Sequence, residues 1–409
     1  MADRSVGALI VGGGAAGAAC AEGLREGDFG GDVLLVGREP DPPYERPPAS
    51  KGYLAGTQER DACLFHDAAW YAKRSIELAP RTSVMRLDTG ARTATLSTKE
   101  VVEFGVALVA TGANVRRLRV DGAQLQGIHY LRALANADAI RADALEAGRV
   151  VLIGGSYIAC EVAATLTALG RRCTMVMLEE APLSAHFGPT AGEFFGGLLS
   201  EHGVELVCGD GLERLEGSDR VERVVCASGR RLEADMVVMG TGVMPDVMLA
   251  RAAGLELGES GGVACSADLE ASVRGIWAAG DMCEFDSVLH GRRVRIEHHE
   301  VARAQGAAVA VAMLGTRRPY SEVPYFWTDL SDWCTAEWVG VTEAPEREIV
   351  RGSVQDGKFS VLHLAGGRLV AALSVGRDDD LAHARRLIAS ATDLSGREAE
   401  LAGGDLDAL

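Results

Sequence analysis

Three glycines near the amino terminus have the spacing of a phosphate-binding turn. Gly12-x-Gly14-x-x-Gly17 lies between a short apolar run, residues 8–11, and an alanine-rich stretch, residues 15–26. Gly12 permits a tight turn, Gly14 lets the backbone approach a pyrophosphate, and Gly17 lets helix and strand pack closely. The free N–H groups of the helix then face the phosphates. The pattern predicts a dinucleotide-binding site.

An acidic residue extends this pattern. Glu39 lies 22 residues after Gly17 and follows a second predicted strand, residues 32–36. A carboxylate at this position can accept hydrogen bonds from ribose hydroxyls. Arg38 is a rival for the same strand-end position. A flexible glycine-rich loop without a ligand is the alternative, but the strands, the helix and the acid together favour the dinucleotide.

A second copy of the unit begins near residue 149. A predicted strand, residues 149–153, leads into Gly154-x-Ser156-x-x-Ala159. A helix is predicted from Val162 to Leu169, and a strand from Cys173 to Leu178 follows it. Two such units in one chain predict two nucleotide-binding domains.

The second turn is degenerate. Ala159 is tolerated in the last place, whereas Ser156 adds a side chain where a pyrophosphate would approach, although its hydroxyl could hydrogen-bond a phosphate. Glu179 follows the next strand and favours a ribose without a 2′-phosphate, because that phosphate would meet like charge. A decayed turn of structural value only is the alternative.

Beyond residue 320 the pattern changes to short apolar and alternating runs. Hairpin turns are predicted at Asp356-Gly357 and Gly366-Gly367. They separate predicted strands at residues 348–353, 358–364 and 368–375, and a helix over residues 379–390 follows. The tail, residues 395–409, is predicted to be frayed. These elements indicate a small α+β domain.

The elements together predict an α/β protein with two Rossmann-like dinucleotide-binding domains and a C-terminal α+β domain. The predicted boundaries are residues 1–117 with 247–317 for the first domain, 118–246 for the second and 318–409 for the third.

Composition excludes several classes of protein. The chain has 409 residues, of which 47% are hydrophobic and 24% charged, so it is globular rather than disordered. A net charge of −17 argues against nucleic acid and against an anionic membrane surface as partners. Nine widely spaced cysteines without a CxxC predict neither a disulfide framework nor a metal site. With no signal peptide or transmembrane segment predicted, we expect a cytoplasmic protein.

Six further segments resemble one known family. Pro43-Tyr44-Glu45-Arg46-Pro47-Pro48-Ala49-Ser50-Lys51 is similar to the PYxRPPLSK segment of flavoprotein ferredoxin reductases. The others resemble further blocks of that family and lie at Ala110-Thr111-Gly112, Gly240-Thr241-Gly242-Val243-x-Pro245, Ala279-Gly280-Asp281, Arg295-Ile-Glu297-His298-His299 and Tyr325-Phe-Trp327-Thr-Asp329. The resemblance covers almost the whole chain. The family comprises FAD-dependent, NAD(P)H-using reductases that serve ferredoxins, rubredoxins and cytochrome P450 systems, within the pyridine nucleotide-disulfide oxidoreductase superfamily.

The resemblance implies roles for individual residues. It places Asp281 at the FAD ribityl chain, Arg46 against the FAD, and Lys51 beside the flavin, where Lys51 pairs with Glu161 as the candidate catalytic pair. A buried ammonium needs such a counter-charge. A solvated turn lysine, with a carboxylate at a helix N-terminus, is the alternative. The remaining cofactor-binding candidates of the matching blocks are Ala110, Thr111, Gly112, Gly242 and Gly280.

Four more residues are placed near the flavin and nicotinamide by the resemblance. Glu297, His298 and His299 could also form a plain exposed turn, and adjacent histidines are poor metal chelators. Trp327 could stack on the flavin ring or be a core aromatic. The His298-His299 pair resembles the apoptosis-inducing-factor branch of the family.

The predicted function is an FAD-dependent oxidoreductase that takes hydride from NADH and passes electrons to a small ferredoxin-like iron–sulfur protein, as a monomer or homodimer. Residues 40–60 contain no cysteine, which argues against thiol–disulfide chemistry. The alternatives are an apoptosis-inducing-factor-like NADH oxidase or quinone reductase, and a redox-sensing flavoprotein that dimerises on reduction.

An acidic acceptor would need a local basic surface on this acidic chain. Residues 291–318 contain six arginines, at positions 292, 293, 295, 303, 317 and 318. They could steer the acceptor. A solvated face whose arginines pair with carboxylates is the equal alternative.

Overall fold

The computed structural model describes residues 2–341 and 345–409. Its strands, in chain order, are β1 (Arg4–Val11), β2 (Val33–Val36), β3 (Ile76–Ala79), β4 (Val84–Asp88), β5 (Thr93–Leu96), β6 (Val101–Val109), β7 (Ala113–Val115), β8 (Ile128–Tyr130), β9 (Arg149–Ile153), β10 (Arg172–Val176), β11 (Glu205–Val207), β12 (Leu212–Gly217), β13 (Val221–Cys226), β14 (Arg231–Glu233), β15 (Met236–Met239), β16 (Val243–Pro245), β17 (Val263–Cys265), β18 (Ile276–Ala278), β19 (Cys283–Ser287), β20 (Arg292–Arg295), β21 (Tyr325–Leu330), β22 (Cys334–Gly340), β23 (Arg347–Ser353), β24 (Lys358–Ala365) and β25 (Arg368–Val375).

The helices are α1 (Ala15–Glu26), α2 (Gly52–Ala55), α3 (Ala68–Lys73), α4 (Leu134–Glu146), α5 (Tyr157–Ala168), α6 (Ser184–Phe187), α7 (Pro189–Glu201), α8 (Met248–Ala252), α9 (His299–Met313), α10 (Asp378–Ser390) and α11 (Glu398–Gly403). The mixture of parallel sheets with covering helices confirms the predicted α/β class.

The chain divides into two compact units. The first comprises Met1–Glu45, Arg60–Asn114 and Met244–Pro324. Its main sheet has the order β3-β2-β1-β6-β5-β4, with β18 beside β6. Strands β1, β2, β3, β6 and β18 are parallel, so their carboxyl ends meet at one edge, where ligands of such sheets bind. Every residue of β2 is buried, as a continuous apolar run in a covered parallel sheet requires.

The second unit comprises Arg46–Glu59, Val115–Val243 and Tyr325–Leu409. Its parallel sheet has the order β11-β10-β9-β15-β8. An antiparallel sheet of order β21-β22-β25-β24-β23 forms its C-terminal part. The two predicted hairpins are therefore confirmed. The three-domain division stays a prediction.

Two sequence expectations about individual elements are wrong. Helix α5 begins at Tyr157 rather than at Val162, because the extended backbone of Ser156 ends the glycine-rich turn there. The tail is not frayed. Leu401 and Leu406 are buried, and the Arg351 guanidinium donates to the backbone carbonyls of Leu401 and Gly404. A buried cation that satisfies helix-end carbonyls holds this segment on the sheet.

Candidate functional site

The first glycine-rich turn joins β1 to α1 in the first unit. Gly12 has φ +124°, which favours glycine, and a Cβ there would collide with the Ala110 carbonyl. A Cβ at Gly17 would collide with the Gly12 carbonyl. A Cβ at Gly14, the N-cap of α1, would meet no described protein atom within 4 Å. Only Gly14 therefore faces open space, as a cradle for a phosphate requires.

Two of the later sequence blocks lie beside this turn in the same unit. The Ala110 N–H donates to the Val11 carbonyl at 2.8 Å, and the Thr111 hydroxyl donates to the Asp246 carbonyl at 2.6 Å. Gly112 accepts from the Asp246 N–H at 2.8 Å. Residues 110–112 thus lie beside the first turn, next to Val11 and Gly12.

The block around Gly280 also approaches helix α1. A Cβ at Gly280 would lie 3.7 Å from the Ala16 Cβ, and the Gly280 N–H donates to the buried Gln305 side chain at 2.8 Å. Asp281 follows, half-buried, and its backbone carbonyl accepts from Arg295 at 3.0 Å. The Gly280-Asp281 pair is therefore positioned by α1 and α9 together.

The strand-end acid is tied to a neighbouring tyrosine. The Tyr44 hydroxyl donates to the Glu39 carboxylate. Its rival Arg38 instead donates to Asp246 at 3.1 Å and to the Asn114 side chain at 2.8 Å. Both candidates for the strand-end position are therefore held by neighbouring side chains.

Residues 297–299 enter helix α9. Glu297 is exposed and pairs with Arg295, His298 is the N-cap, and the His299 ring lies parallel to that of Phe65 with centroids 5.9 Å apart. His299 is thus packed rather than fully solvated.

The second glycine-rich turn joins β9 to α5 in the second unit. The Ser156 hydroxyl donates to the Gly240 carbonyl at 2.9 Å, so it ties the turn to the end of β15 instead of pointing freely at a phosphate. A Cβ at Gly154 would collide with the same carbonyl, and one at Gly240 would lie 2.6 Å from the Ala159 Cβ. The turn keeps the close packing of the first copy.

The carboxylate at the end of β10 faces this second turn. A Cβ built on Gly155 would lie 3.3 Å from Oε2 of Glu179. Glu179 itself is half-buried, and its carboxylate lies beside the second turn. Gly242, with its carbonyl accepting from the Arg116 N–H at 2.9 Å, lies after β15 in the same unit.

Glu161 collects three donors in the second unit. It is 4% exposed, and its carboxylate pairs with Lys51 and accepts from the hydroxyls of Ser50 and Thr328, the latter at 2.7 Å. The predicted ion pair of Lys51 with Glu161 is therefore present. Each of the two carboxylate oxygens therefore accepts at least one hydrogen bond, as a buried carboxylate requires.

Trp327 and Arg46 complete the predicted set. The Trp327 indole N–H donates to Asp329 at 3.1 Å, and Asp329 lies 3.9 Å from the Lys51 ammonium. Trp327 thus joins the Lys51 cluster through Asp329. Arg46 donates to the Arg132 carbonyl at 2.7 Å.

Sequence reasoning gave no role to three residues of these clusters. Ser50 and Thr328 stand beside assigned residues inside the matching blocks, and that adjacency is the signal which could have identified them. Tyr157 follows Ser156 directly, and its ring contacts Phe326 and Phe187 with centroids 5.0 and 5.4 Å away.

The cysteines give no sign of thiol chemistry. All nine lie in the described part of the chain, and all are free thiols. Burial raises the pKa of the Cys63 thiol, which disfavours the reactive thiolate. Within residues 2–341 and 345–409, no cluster of three or more His, Cys, Asp or Glu side chains could hold a metal ion. The described helices include none with the length and hydropathy needed to cross a membrane.

Several arginines of the basic stretch are paired. Arg293 contacts Asp286 at 2.9 Å, and Arg317 contacts Asp268 at 2.5 Å and Glu270 at 2.6 Å. These contacts favour the alternative of a carboxylate-paired face over a strongly basic docking surface.

Two family models match the chain. Pyridine nucleotide-disulphide oxidoreductase matches residues 7–306, and the reductase C-terminal model matches residues 325–407. Among curated proteins, the chain is 32% identical over 392 residues to rhodocoxin reductase of Rhodococcus erythropolis, covering 96% of this chain and 91% of the relative.

Solved structures agree with these matches. A ferredoxin reductase from Rhodopseudomonas palustris has a TM-score of 0.91 at 31% identity, and 99% of each chain is covered. The covalent complex of putidaredoxin reductase with putidaredoxin contains a chain with a TM-score of 0.90 at 32% identity, covering 96% of this chain and 94% of that chain.

Proposed function

The chain belongs to the pyridine nucleotide-disulphide oxidoreductase family, and from this premise we propose that it is an FAD-dependent reductase that oxidises NADH and delivers electrons to a ferredoxin-like iron–sulfur protein. The observation that carries the proposal is the first turn, where Gly12 and Gly17 are closed by protein and Gly14 is open. Ala110 bonds to Val11 just before this turn, and Gly280 packs against Ala16 just after it.

The residues fit FAD. The Gly14 backbone and the α1 N-terminus would hold the pyrophosphate, Glu39 the adenosine ribose, and Asp281 the ribityl chain. Further FAD contacts are proposed for Arg46, Thr111, Glu297, His298, His299 and Trp327. When bound, the flavin supplies hydride acceptance and stepwise electron release. The polypeptide supplies position, charge and exclusion of water.

Lys51 and Glu161 are proposed as the charged pair beside the flavin. Glu161 is held by Lys51, Ser50 and Thr328, so it cannot turn away from the ammonium without leaving hydroxyl donors unpaired. The Lys51 ammonium is therefore held at a fixed position. A fixed cation favours negative charge that develops nearby.

The second turn is proposed to bind NADH. Gly154 and Ala159 keep its close packing, Ser156 fixes it to β15, and Glu179 would accept from the ribose hydroxyls. Nine free thiols are in keeping with a reducing cytoplasm, which we propose as the location.

Cofactor content and turnover test the function. The purified protein should be yellow, should release FAD on denaturation, and should reduce both ferricyanide and a small iron–sulfur protein with NADH. A protein that stays colourless after reconstitution with FAD contradicts the proposal. Rapid reaction with oxygen or quinone but not with an iron–sulfur protein would favour the oxidase alternative. Slow reoxidation with a doubling of mass would favour the redox-sensing one.

Glu179 should set the choice of nucleotide. We expect kcat/KM for NADH to exceed that for NADPH by about a hundredfold, because a carboxylate accepts from a 2′-hydroxyl and repels a 2′-phosphate. Glu179→Arg should narrow the ratio by about tenfold or more. Steady-state kinetics with ferricyanide measure both ratios. Arg172→Glu, at the opposite end of β10, is the charge control, and an equal ratio in the wild type would refute the assignment.

A further inference from the structure

One segment links the second turn to the C-terminal sheet. Residues 179–190, here called the nucleotide-side segment, run from Glu179 through α6 to the first turn of α7. The segment begins at the proposed ribose ligand and ends against β23. A shift of this segment would therefore move Glu179 relative to the second turn, where the dinucleotide is proposed to bind.

The first half of the segment is fastened to the second turn. The Leu183 N–H donates to the Gly155 carbonyl at 2.8 Å. The His186 ring stacks on Tyr157, the first residue of α5, with centroids 4.6 Å apart. A displacement of the segment would thus move both the backbone of the turn and the ring that follows it.

The second half is fastened by Glu348 of β23. Its carboxylate accepts from the Thr190 hydroxyl at 3.2 Å and from the Thr190 N–H. Helix α7 has Gly188 as N-cap, with no side-chain cap and no acid in its own first turn. Glu348 therefore supplies from another element the negative charge and acceptor that a helix N-terminus favours.

Gly188 lies against the Glu348 carboxylate and leaves no room for a side chain of its own. Its φ of +88° is a conformation that favours glycine, and a Cβ there would collide with Oε1 of Glu348. Burial raises the pKa of the Glu348 carboxyl. The carboxylate therefore lies next to Gly188, the residue between α6 and α7.

The neighbouring histidine does not neutralise Glu348. His363 Nδ1 lies 4.0 Å from Glu348 Oε1, the imidazole is 1% exposed, and burial lowers its pKa to about 4. Trp338 packs on His363 at 5.2 Å and on Phe187 at 5.3 Å. The end of the segment is thus set in an apolar layer, in which the α7 N-terminus and Thr190 are the partners of the carboxylate.

We propose that Glu348 is a positioning residue for the dinucleotide: by accepting hydrogen bonds from Thr190 at the start of α7, it holds the nucleotide-side segment against the second turn and sets the affinity for NADH. This inference rests on the proposed function, because it takes the second turn as the NADH site. It assigns the C-terminal sheet a part in nucleotide binding that operates through one carboxylate.

The test uses the FAD-loaded full-length protein. In Glu348→Ala we expect the KM for NADH to rise about three- to tenfold, with kcat changed less than about twofold and the KM for ferricyanide unaltered. The Kd for NAD⁺, measured by titration calorimetry, should rise by the same factor. Glu348→Gln keeps an oxygen acceptor for Thr190 and should recover part of the lost affinity.

Two further variants make the result specific. Thr190→Val removes only the hydroxyl donor and should raise the Kd for NAD⁺ by about twofold, and it remains informative if Glu348→Ala does not fold. Glu346→Ala is the matched control, because this nearby carboxylate accepts from the Gly366 N–H, which lies outside the nucleotide-side segment.

The outcomes separate the inference from the proposed function. A Glu348→Ala protein that melts earlier but binds NAD⁺ like the wild type would show a purely structural carboxylate and overturn the inference. An equal rise of the Kd for NAD⁺ in Glu346→Ala would also overturn the inference. A wild-type protein that does not oxidise NADH would contradict the proposed function itself.

Discussion

Gly14→Val should abolish retention of FAD while leaving the apoprotein folded. A Cβ at Gly14 would meet no described protein atom within 4 Å, and the backbone there is extended (φ −87°, ψ −170°), which valine adopts readily. The branched side chain would instead occupy the space in front of the α1 N-terminus. Overpacking of this kind costs about 1–3 kcal/mol, so we expect affinity for FAD to fall by about a hundredfold.

Flavin absorbance and fluorescence titration of the apoprotein measure this effect. Gly30→Val is the control, since Gly30 lies in the same unit and a Cβ there also meets no described atom within 4 Å. Circular dichroism should show equal helix content in both apoproteins. If Gly14→Val keeps FAD as firmly as Gly30→Val does, the first turn is not the pyrophosphate site.

Removing Glu161 should strongly destabilise the protein. Glu161→Leu leaves the Lys51 ammonium, 18% exposed, without its main counter-charge and leaves the hydroxyls of Ser50 and Thr328 without their acceptor. Breaking a buried ion pair on one side costs about 3–5 kcal/mol. We expect a loss of that size in the free energy of unfolding, measured by urea denaturation of the FAD-loaded protein.

The double variant Lys51→Met with Glu161→Leu separates stability from function. Replacing both charges by apolar groups of similar size is often nearly neutral, so most of the stability should return. Because the charged pair is proposed to act beside the flavin, NADH should reduce the flavin more slowly in the double variant than in the wild type. Full recovery of the reduction rate would show that the pair is structural only.

Much of the fold followed from local pattern. The helix over residues 15–26, the strand over residues 368–375 and both hairpins of the C-terminal sheet agree with the structure. In each, a short-range signal such as a glycine-rich turn, an apolar run or a paired turn residue acts within about ten residues. For the C-terminal tail, which was expected to be frayed, a distant group decided the outcome. Arg351 orders the tail from β23, some 50 residues away.

The sequence by itself determined the chemistry available to this protein: two glycine-rich turns, the acids that follow them, and the blocks that identify the family. Those signals are local because phosphate recognition uses consecutive backbone N–H groups. Only the tertiary structure decided the partners of each side chain. In the folded chain Ser156 donates to Gly240, and Ser50 and Thr328 donate to Glu161. Glu348 accepts from Thr190 at the start of α7. Such contacts join residues 84 to 167 positions apart, and a buried polar group takes whichever partner the packed fold brings within reach.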